Sequence, residues 1–315
     1  MRRGVAAVAV LLLLGGCGGT TTPPGEPDAS SGKQSRGAGK DGKDGKVPGD
    51  QVEDLAEEAE RLSNEGGSGT IERRDEPVLG ADISWPQCPK GMGIPEKRSQ
   101  GMPMPIPQAE YVVVGLTNGP GFTPNPCLAD QVAWVEERGL MISAYAVASY
   151  PDEPTLDEYG GDGPFDAGSD LGRLRNVGYQ QARYNIGSMA DAGLQTPIVW
   201  IDVEPVPDFE WSADVRANAA VVVGAARAYT DAGYEIGVYS TPYLWDEVVG
   251  DLSLGVPEWR AAGETSSEEA LNRCGDDWSI QGGKGILGQW VQDSRDQNIT
   301  CPGVAADLGR WFHQY

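Results

Sequence analysis

The chain has 315 residues, with 47 acidic against 24 basic side chains, five cysteines, one histidine and a formal net charge of −23. So strong a negative balance repels phosphate backbones and anionic lipid, which excludes nucleic acid as a partner and a body lying flat on a membrane. The lone histidine, His313, stands almost at the chain end, so a Ser-His-Asp or Cys-His relay is not expected.

The first residues carry Arg2-Arg3, an apolar run from Val5 to Leu14 and then Leu14-Gly15-Gly16-Cys17. The run is about half the length a bilayer-crossing helix needs, and a cationic start with small residues before a cut site reads as a secretory signal. Residues 1–16 are expected to be a lipoprotein signal peptide for general secretory export. Cys17 is then the lipidated first residue of the mature chain, tethering it to the extracytoplasmic face of the cell membrane. Residues 17–77 are built of Gly, Ser, Thr, Pro, Lys, Asp and Glu without an aromatic. They cannot bury enough apolar surface to order themselves and are expected to form a disordered linker. The tract Gly-Lys-Asp-Gly-Lys-Asp-Gly-Lys at 39–46 is low in complexity, and only Val52 to Asn64 spaces apolar residues as a transient helix would.

Residues 78–315 hold 33 acids and 14 bases, a net of −19, and are long enough for one sizeable domain. Its four cysteines are Cys88, Cys127, Cys274 and Cys301. An even number in an exported chain argues for two disulfides. Three pairings are possible, and Cys88–Cys127 with Cys274–Cys301, joining nearest neighbours, is the expected one. No cysteine pair is closely spaced, so neither a metal site nor a cofactor is expected.

Within the domain, strands are expected at Gly80–Ser84, Tyr111–Thr117, Met141–Ser149, Pro197–Glu204, Glu235–Thr241, Glu258–Gly263, Ile286–Asp293 and Ala305–Trp311. Runs such as Tyr111-Val112-Val113-Val114 and Ile198-Val199-Trp200-Ile201 suit strands buried on both faces of a parallel sheet. Helical periodicity falls between them at Leu128–Arg138, Leu174–Ala192, Ala213–Ala232 and, briefly, Tyr243–Val249, and Gly193 and Gly233 follow two of these as helix-ending glycines. The alternation predicts an α/β fold, a single-domain irregular (β/α)8-type barrel (TIM-like), regular in its first half and loop-rich or antiparallel towards its end. In such barrels chemistry gathers at the C-terminal ends of the strands.

Carboxylates recur at those ends. Asp82 lies in Gly-Ala-Asp-Ile-Ser-Trp, Asp202 and Glu204 in Trp-Ile-Asp-Val-Glu-Pro, and Asp307 in Ala-Ala-Asp-Leu on the expected last strand. Asp202 and Glu204, two apart on a strand, share a face, and paired carboxylates raise each other's proton affinity as a general acid requires. The bland alternative is that such acids cap the next helix or pair with arginine, which few nearby Lys or Arg support for Asp202 and Glu204. Trp85, Tyr145, Tyr239, Trp259 and Trp290 fall at comparable positions. Singly each reads as core; together with acids at a barrel mouth they suit carbohydrate, with rings stacked on sugar faces.

Asp82-Ile-Ser-Trp85, Ala144-Tyr145, Asp202-Val203-Glu204, Gly237-Val238-Tyr239-Ser240, Gln289-Trp290 and a terminal Asp307 together resemble glycoside hydrolase family 25, the muramidases (lysozymes). The resemblance covers nearly all of residues 79–315. It implies cleavage of the bond between N-acetylmuramic acid and N-acetylglucosamine in peptidoglycan, by a chain expected to act as a monomer. It further implies Glu204 as general acid, Asp202 assisting a substrate N-acetyl group or polarising water, Asp82 and Asp307 orienting substrate, and Trp85, Tyr145, Tyr239 and Trp290 binding sugar. Departures from the family pattern are Asn118 before Gly119, where an acid is usual, and Ala146-Val147-Ala148-Ser149 after Tyr145, which lacks the usual histidine and phenylalanine. Two insertions, Pro86–Pro107 and Asp152–Asp170, add to them. These leave a second reading beside the enzyme, a barrel that binds wall carbohydrate without turnover.

Overall fold

The computed structural model of the chain describes residues 75–315. The signal peptide, Cys17 and all of the linker but its last three residues lie outside these.

Among the described residues nine strands are present: β1 (Leu79–Ile83), β2 (Tyr111–Gly115), β3 (Met141–Val147), β4 (Ile198–Asp202), β5 (Glu235–Ser240), β6 (Glu258–Glu264), β7 (Gly285–Gln292), β8 (Arg295–Thr300) and β9 (His313–Gln314). The first eight close into a barrel in chain order, with β2 bonded to both β1 and β3 and β8 returning to β1. Strands β1 to β7 run parallel, and β8 is antiparallel to both its neighbours. The expected irregular barrel is therefore present, and it closes by reversing its last strand.

Helices pack outside: α1 (Leu128–Glu137), α2 (Glu153–Tyr159), α3 (Asp170–Asp191), α4 (Val215–Asp231), α5 (Pro242–Val249) and α6 (Ser267–Asn272). Side chains of Ser169, Asp214 and Thr241 cap α3, α4 and α5 by accepting from backbone amides of the first turn. Helices α3 and α4 touch backbone to backbone. A Cβ on Gly178 would lie 1.9 Å from the Val221 carbonyl oxygen, and one on Gly224 the same distance from that of Arg175. Only glycine allows that approach. Between helices and strands lies one apolar layer, including Val114, Val132, Ile142, Ile201, Val222 and Val238. A second core fills the barrel, built on Tyr111, Val113, Ile198, Trp200, Trp259 and Leu287.

Both disulfides pair as expected, Cys88 with Cys127 and Cys274 with Cys301. The Pro86–Pro107 insertion is held by the first of them and by Asn118, whose side chain accepts from the Ile94 amide at 2.7 Å and donates to the Lys97 carbonyl at 3.0 Å. Further along, Arg295 donates to the Met104 carbonyl at 2.9 Å. Asn118 is thus fully engaged in fixing this strap across the β2, β1 and β8 edge of the barrel mouth. The loop after α6 folds around a buried ion pair, Arg260 to Glu258 at 2.8 Å, and the Glu258 carboxylate also accepts the amides of Ile280 and Gly283.

The expected last strand, Ala305–Trp311, is not a strand. Ala305–Arg310 forms a 3-10 helix closed by bonds from Asp307 N to the Val304 carbonyl and from Trp311 N to that of Leu308. It directs Trp311 and Phe312 into the barrel floor, where Phe312 lies 4.3 Å from Tyr111 and Trp311 lies 6.5 Å from Trp200 between ring centroids. The eighth strand is instead Arg295–Thr300, joined to β7 by a two-residue turn with Asp293 at φ 53° and Ser294 at φ 58°. Left-handed residues at both turn positions match the twist of a tight hairpin.

Candidate active site

At the C-terminal end of the parallel strands the barrel interior changes from apolar to polar. Asp82 is paired in register with Asp296 of β8, Asp202 with Tyr239, and Gln289 with Asn298. Strand alternation points these side chains inwards, one layer above Trp259 and Trp200. Asp82 is buried, and its carboxylate accepts from Asn298 Nδ2 at 2.7 Å and from Gln289 Nε2 at 3.1 Å. Gln289 in turn accepts from the Tyr239 hydroxyl at 2.7 Å, and Asn298 accepts from the Trp259 indole N–H at 2.6 Å. Each amide is oriented by an aromatic donor below it and presents its N–H to Asp82.

Asp202 is buried at the end of β4, and its Oδ1 finds no hydrogen-bond partner among the described residues. Glu204, two residues on, is half-buried in the loop beyond the strand. That loop is fixed from three sides. The Val203 amide donates to the Tyr239 carbonyl, Ser240 Oγ donates to the Val203 carbonyl at 2.6 Å, and the Trp211 indole donates to the Glu204 carbonyl at 3.0 Å.

Four carboxyls are therefore gathered in one low-dielectric opening: Asp82, Asp202, Glu204 and Asp296. Among the described residues no Lys or Arg charge offsets them. Arg295, next in sequence to one of them, is spent on the Met104 carbonyl. Burial, then the Asp296 charge, lifts Glu204 to about 7, and burial lifts Asp296 to about 6. Asp82 is held well above the carboxylate range by burial and by Asp296, against the opposing pull of its two amide donors. Asp202 is raised by burial, by Glu204 and by Asp82. Like charges this close in a desolvated site cannot all ionise, so the group retains protons near neutral pH.

Of the aromatics singled out from sequence, Tyr239 and Tyr145 line this chamber. The Tyr239 ring lies 4.4 Å and the Tyr145 ring 5.6 Å from that of Trp259 between centroids. Trp259 is 1 % exposed and forms the chamber floor. Trp85 opens the short 3-10 helix directly beyond β1 and is partly exposed at the same end of the barrel.

Trp290 and Asp307 are not part of the cluster. Trp290 follows the inward Gln289 by one residue and so points out of the barrel, packed with Ala270 of α6 and Ile299. Asp307 sits exposed on the 3-10 helix that follows β8. Because β8 runs antiparallel, that helix lies at the opposite end of the barrel from the carboxyl group. Asp296 occupies the place expected of Asp307. Among the described residues, no group of three or more His, Cys, Asp or Glu is arranged to hold a metal ion, and no helix is long and apolar enough to cross a membrane.

The profile of a family described as Lysozyme-like protein 1 matches residues 172–272, the stretch that carries Asp202 and Glu204. In this stretch the chain is similar to that family. Among individual proteins, it is similar to "Probable GH family 25 lysozyme 3" of Dictyostelium discoideum, 30% identical over 125 residues, which is 38% of this chain and 23% of that protein. It is also similar to "Lysozyme-like protein 5" of Caenorhabditis elegans, 32% identical over 73 residues, 22% of this chain and 31% of that one. The chain thus spans about a quarter to a third of the length of these curated relatives. Among solved structures, it is similar to a family 25 glycosyl hydrolase from Bacillus anthracis at 14% identity and TM-score 0.48, over 76% of this chain and 95% of that one. A muramidase from Acremonium alcalophilum gives 16% identity and TM-score 0.47, over 74% and 99%. The matched segment includes β4 to β6 and their connections, whereas Asp82 and Asp296 lie outside it.

Proposed function

We propose that this protein is a glycosidase of the muramidase type, cutting glycosidic bonds of cell-wall peptidoglycan. The observation that carries the reading is the carboxyl group at the barrel mouth, with Glu204 holding its proton to about pH 7. A proton donor that stays protonated near neutrality and sits beside a second buried carboxyl is what protonation of a leaving glycosidic oxygen needs. Glu204 donates that proton. Asp202, with an oxygen that no donor among the described residues meets, receives the N–H of a substrate N-acetyl group or polarises the attacking water. Burial and the Asp296 charge keep Glu204 protonated, Asp82 orients substrate, and Tyr145, Tyr239 and Trp85 offer ring faces and a hydroxyl to sugar. The similarity to lysozyme-like proteins supports the same reaction and the same polymer.

Export and tethering through Cys17 are part of the proposal. Two disulfides in the domain fit an oxidising compartment, and a lipid anchor followed by a flexible linker would set the barrel within reach of the wall. Incubation of purified peptidoglycan with the full chain should release new reducing ends. Glu204→Gln should reduce that release about 10²–10⁴-fold while the protein stays folded. Equal release by the variant would refute the assignment, and loss of membrane association in Cys17→Ala is the matching test for the tether.

A further inference from the structure

The connections at the C-terminal ends of the strands differ greatly in length. After β1 the chain takes residues 84–110 to reach β2, and after β4 it takes residues 203–214 to reach α4. By contrast, β5 passes through Thr241 alone into α5, and β6 through Thr265 and Ser266 into α6. Beyond Arg260, β6 itself runs Ala261-Ala262-Gly263 before Glu264, with no side chain larger than a methyl in those three positions. The mouth is therefore low over β5 and β6.

The facing side is walled. In a barrel of eight strands closed in chain order, β1 stands opposite β5 and β2 opposite β6. Over β1 and β2 lies the Pro86–Pro107 strap, which carries a finger. The Ser99 amide donates to the Met92 carbonyl and the Gly91 amide to the Ser99 carbonyl, both at 2.9 Å, so residues 93–98 leave the strap and return to it at one place. Asn118, just past β2, grips the finger through the Ile94 amide and the Lys97 carbonyl. A Cβ on Gly119 would lie 3.2 Å from the Phe209 ring and 3.3 Å from the Ile94 side chain, so the finger meets the β4 connection there. The Lys97 ammonium stands 5.9 Å from the centroid of the same Phe209 ring. The other arm of the strap is fastened to β8 by the bond from Arg295 to the Met104 carbonyl. The β2 and β3 connections are joined by the Gly121 amide, which donates to Ser149 Oγ at 2.7 Å, and by a stack of Phe122 on Tyr159 at 4.2 Å. The wall runs unbroken from β8 through β1, β2 and β3 to β4.

A β-1,4-linked glycan is extended and stiff, and the bond to be cut must lie over the carboxyl chamber inside the mouth. A strand that comes in over β5 or β6 and crosses the chamber would have to leave over β1 or β2, where the strap and its finger stand. Loops that rise from a rigid barrel commonly set what its site accepts. We propose that the finger Gly93–Arg98 is an end stop, so that the protein takes the end of a glycan strand and cuts from that end instead of within the strand. This inference rests on the glycosidase reading for the identity of the polymer.

The full chain carrying Glu204→Gln holds glycan without cutting it, and isothermal titration calorimetry against soluble, peptide-free peptidoglycan strands of graded length gives the stoichiometry. An end stop predicts a single bound protein per strand at every length. A second form of the same protein has residues 93–98 replaced by Gly-Gly, a link that follows the 2.9 Å hydrogen bond between Ser99 and Met92 and leaves Cys88 and the Met104 contact in place. In it the number of proteins bound should rise in proportion to strand length. Several proteins per long strand before the deletion, no rise after it in a folded variant, or no binding to any strand overturns the proposal. The first titration decides it even where the deletion variant fails to fold. Binding is read without turnover, so its failure is separable from that of the glycosidase. A protein that binds once per strand while the wild type releases no reducing ends keeps the end stop and removes that activity. A wild type that cuts long strands in their middle does the reverse.

Discussion

Replacing Glu204 with glutamine should stabilise the protein while disabling it, and the stabilisation should depend on pH. The Glu204 carboxyl is raised from an ordinary 4.5 to about 7 in the folded protein by burial and by Asp296. Between those values the folded chain binds a proton that the unfolded chain has released, so wild-type stability falls as pH rises from about 4.5 and levels off above about 7. At about 1.36 kcal/mol per pH unit, the full displacement corresponds to an upper bound of about 3 kcal/mol of lost stability. Glutamine keeps the shape and carries no charge, so Glu204→Gln should recover up to that amount at pH 8 and almost nothing at pH 4. For a domain of this size, about 3 kcal/mol is an increase of about 6–12 °C in melting temperature. Thermal unfolding of both proteins at the two pH values, followed by circular dichroism, gives the comparison directly. A Glu204→Gln protein that is less stable than wild type at pH 8, or equally stabilised at both pH values, would refute the account of Glu204 as a desolvated, repelled carboxyl.

Other consequences follow from the same group of carboxyls and from the covalent frame. Cleavage of soluble wall glycan should decline as pH rises through about 7, where Glu204 loses its proton; a kcat/KM profile flat to pH 9 would contradict this. Asp296→Asn removes a charge that raises Glu204 and should move that alkaline limb to lower pH, whereas Asp307→Asn, at the far end of the barrel, should leave the profile where it is. Tyr239→Phe removes the donor that orients Gln289 and should cost about 0.5–1.5 kcal/mol of stability, measured by urea unfolding. Cys274→Ser with Cys301→Ser opens a loop of sequence separation 27 and should cost about 2–4 kcal/mol, with the Cys88–Cys127 bridge still formed by mass spectrometry of the non-reduced protein.

The regular half of the barrel was legible because its physics is local. Tyr111-Val112-Val113-Val114 and Ile198-Val199-Trp200-Ile201 announce strands buried on both faces, and the periodicity of Val215–Asp231 announces a helix with one buried stripe. Two elements misled that reading. Arg295–Thr300 is polar at Asp296 and Asn298 because those side chains face the interior at its polar end, the reverse of what marks a buried strand. Its signal was the tight turn at Asp293-Ser294 directly after an apolar strand. Ala305–Trp311 looked like a strand because it is apolar, yet its apolar residues serve a 3-10 plug at the barrel floor. Trp290 lies one position from the inward Gln289, which in a strand is the whole difference between interior and exterior.

The sequence by itself determined the α/β alternation, the acidic surface, the Asp202–Glu204 pair and the number of disulfides. Each follows from composition or from spacing within one element. Only the tertiary structure decided which carboxyls share a chamber. Closing the barrel with an antiparallel β8 puts Asp296 opposite Asp82 and sends Asp307 to the other end. Proton affinities in that chamber depend on distance and dielectric across strands far apart in the chain. A carboxyl such as Asp296 therefore acquires its role from Glu204 and Asp82, residues on strands and loops remote from it in the chain, which no local pattern records.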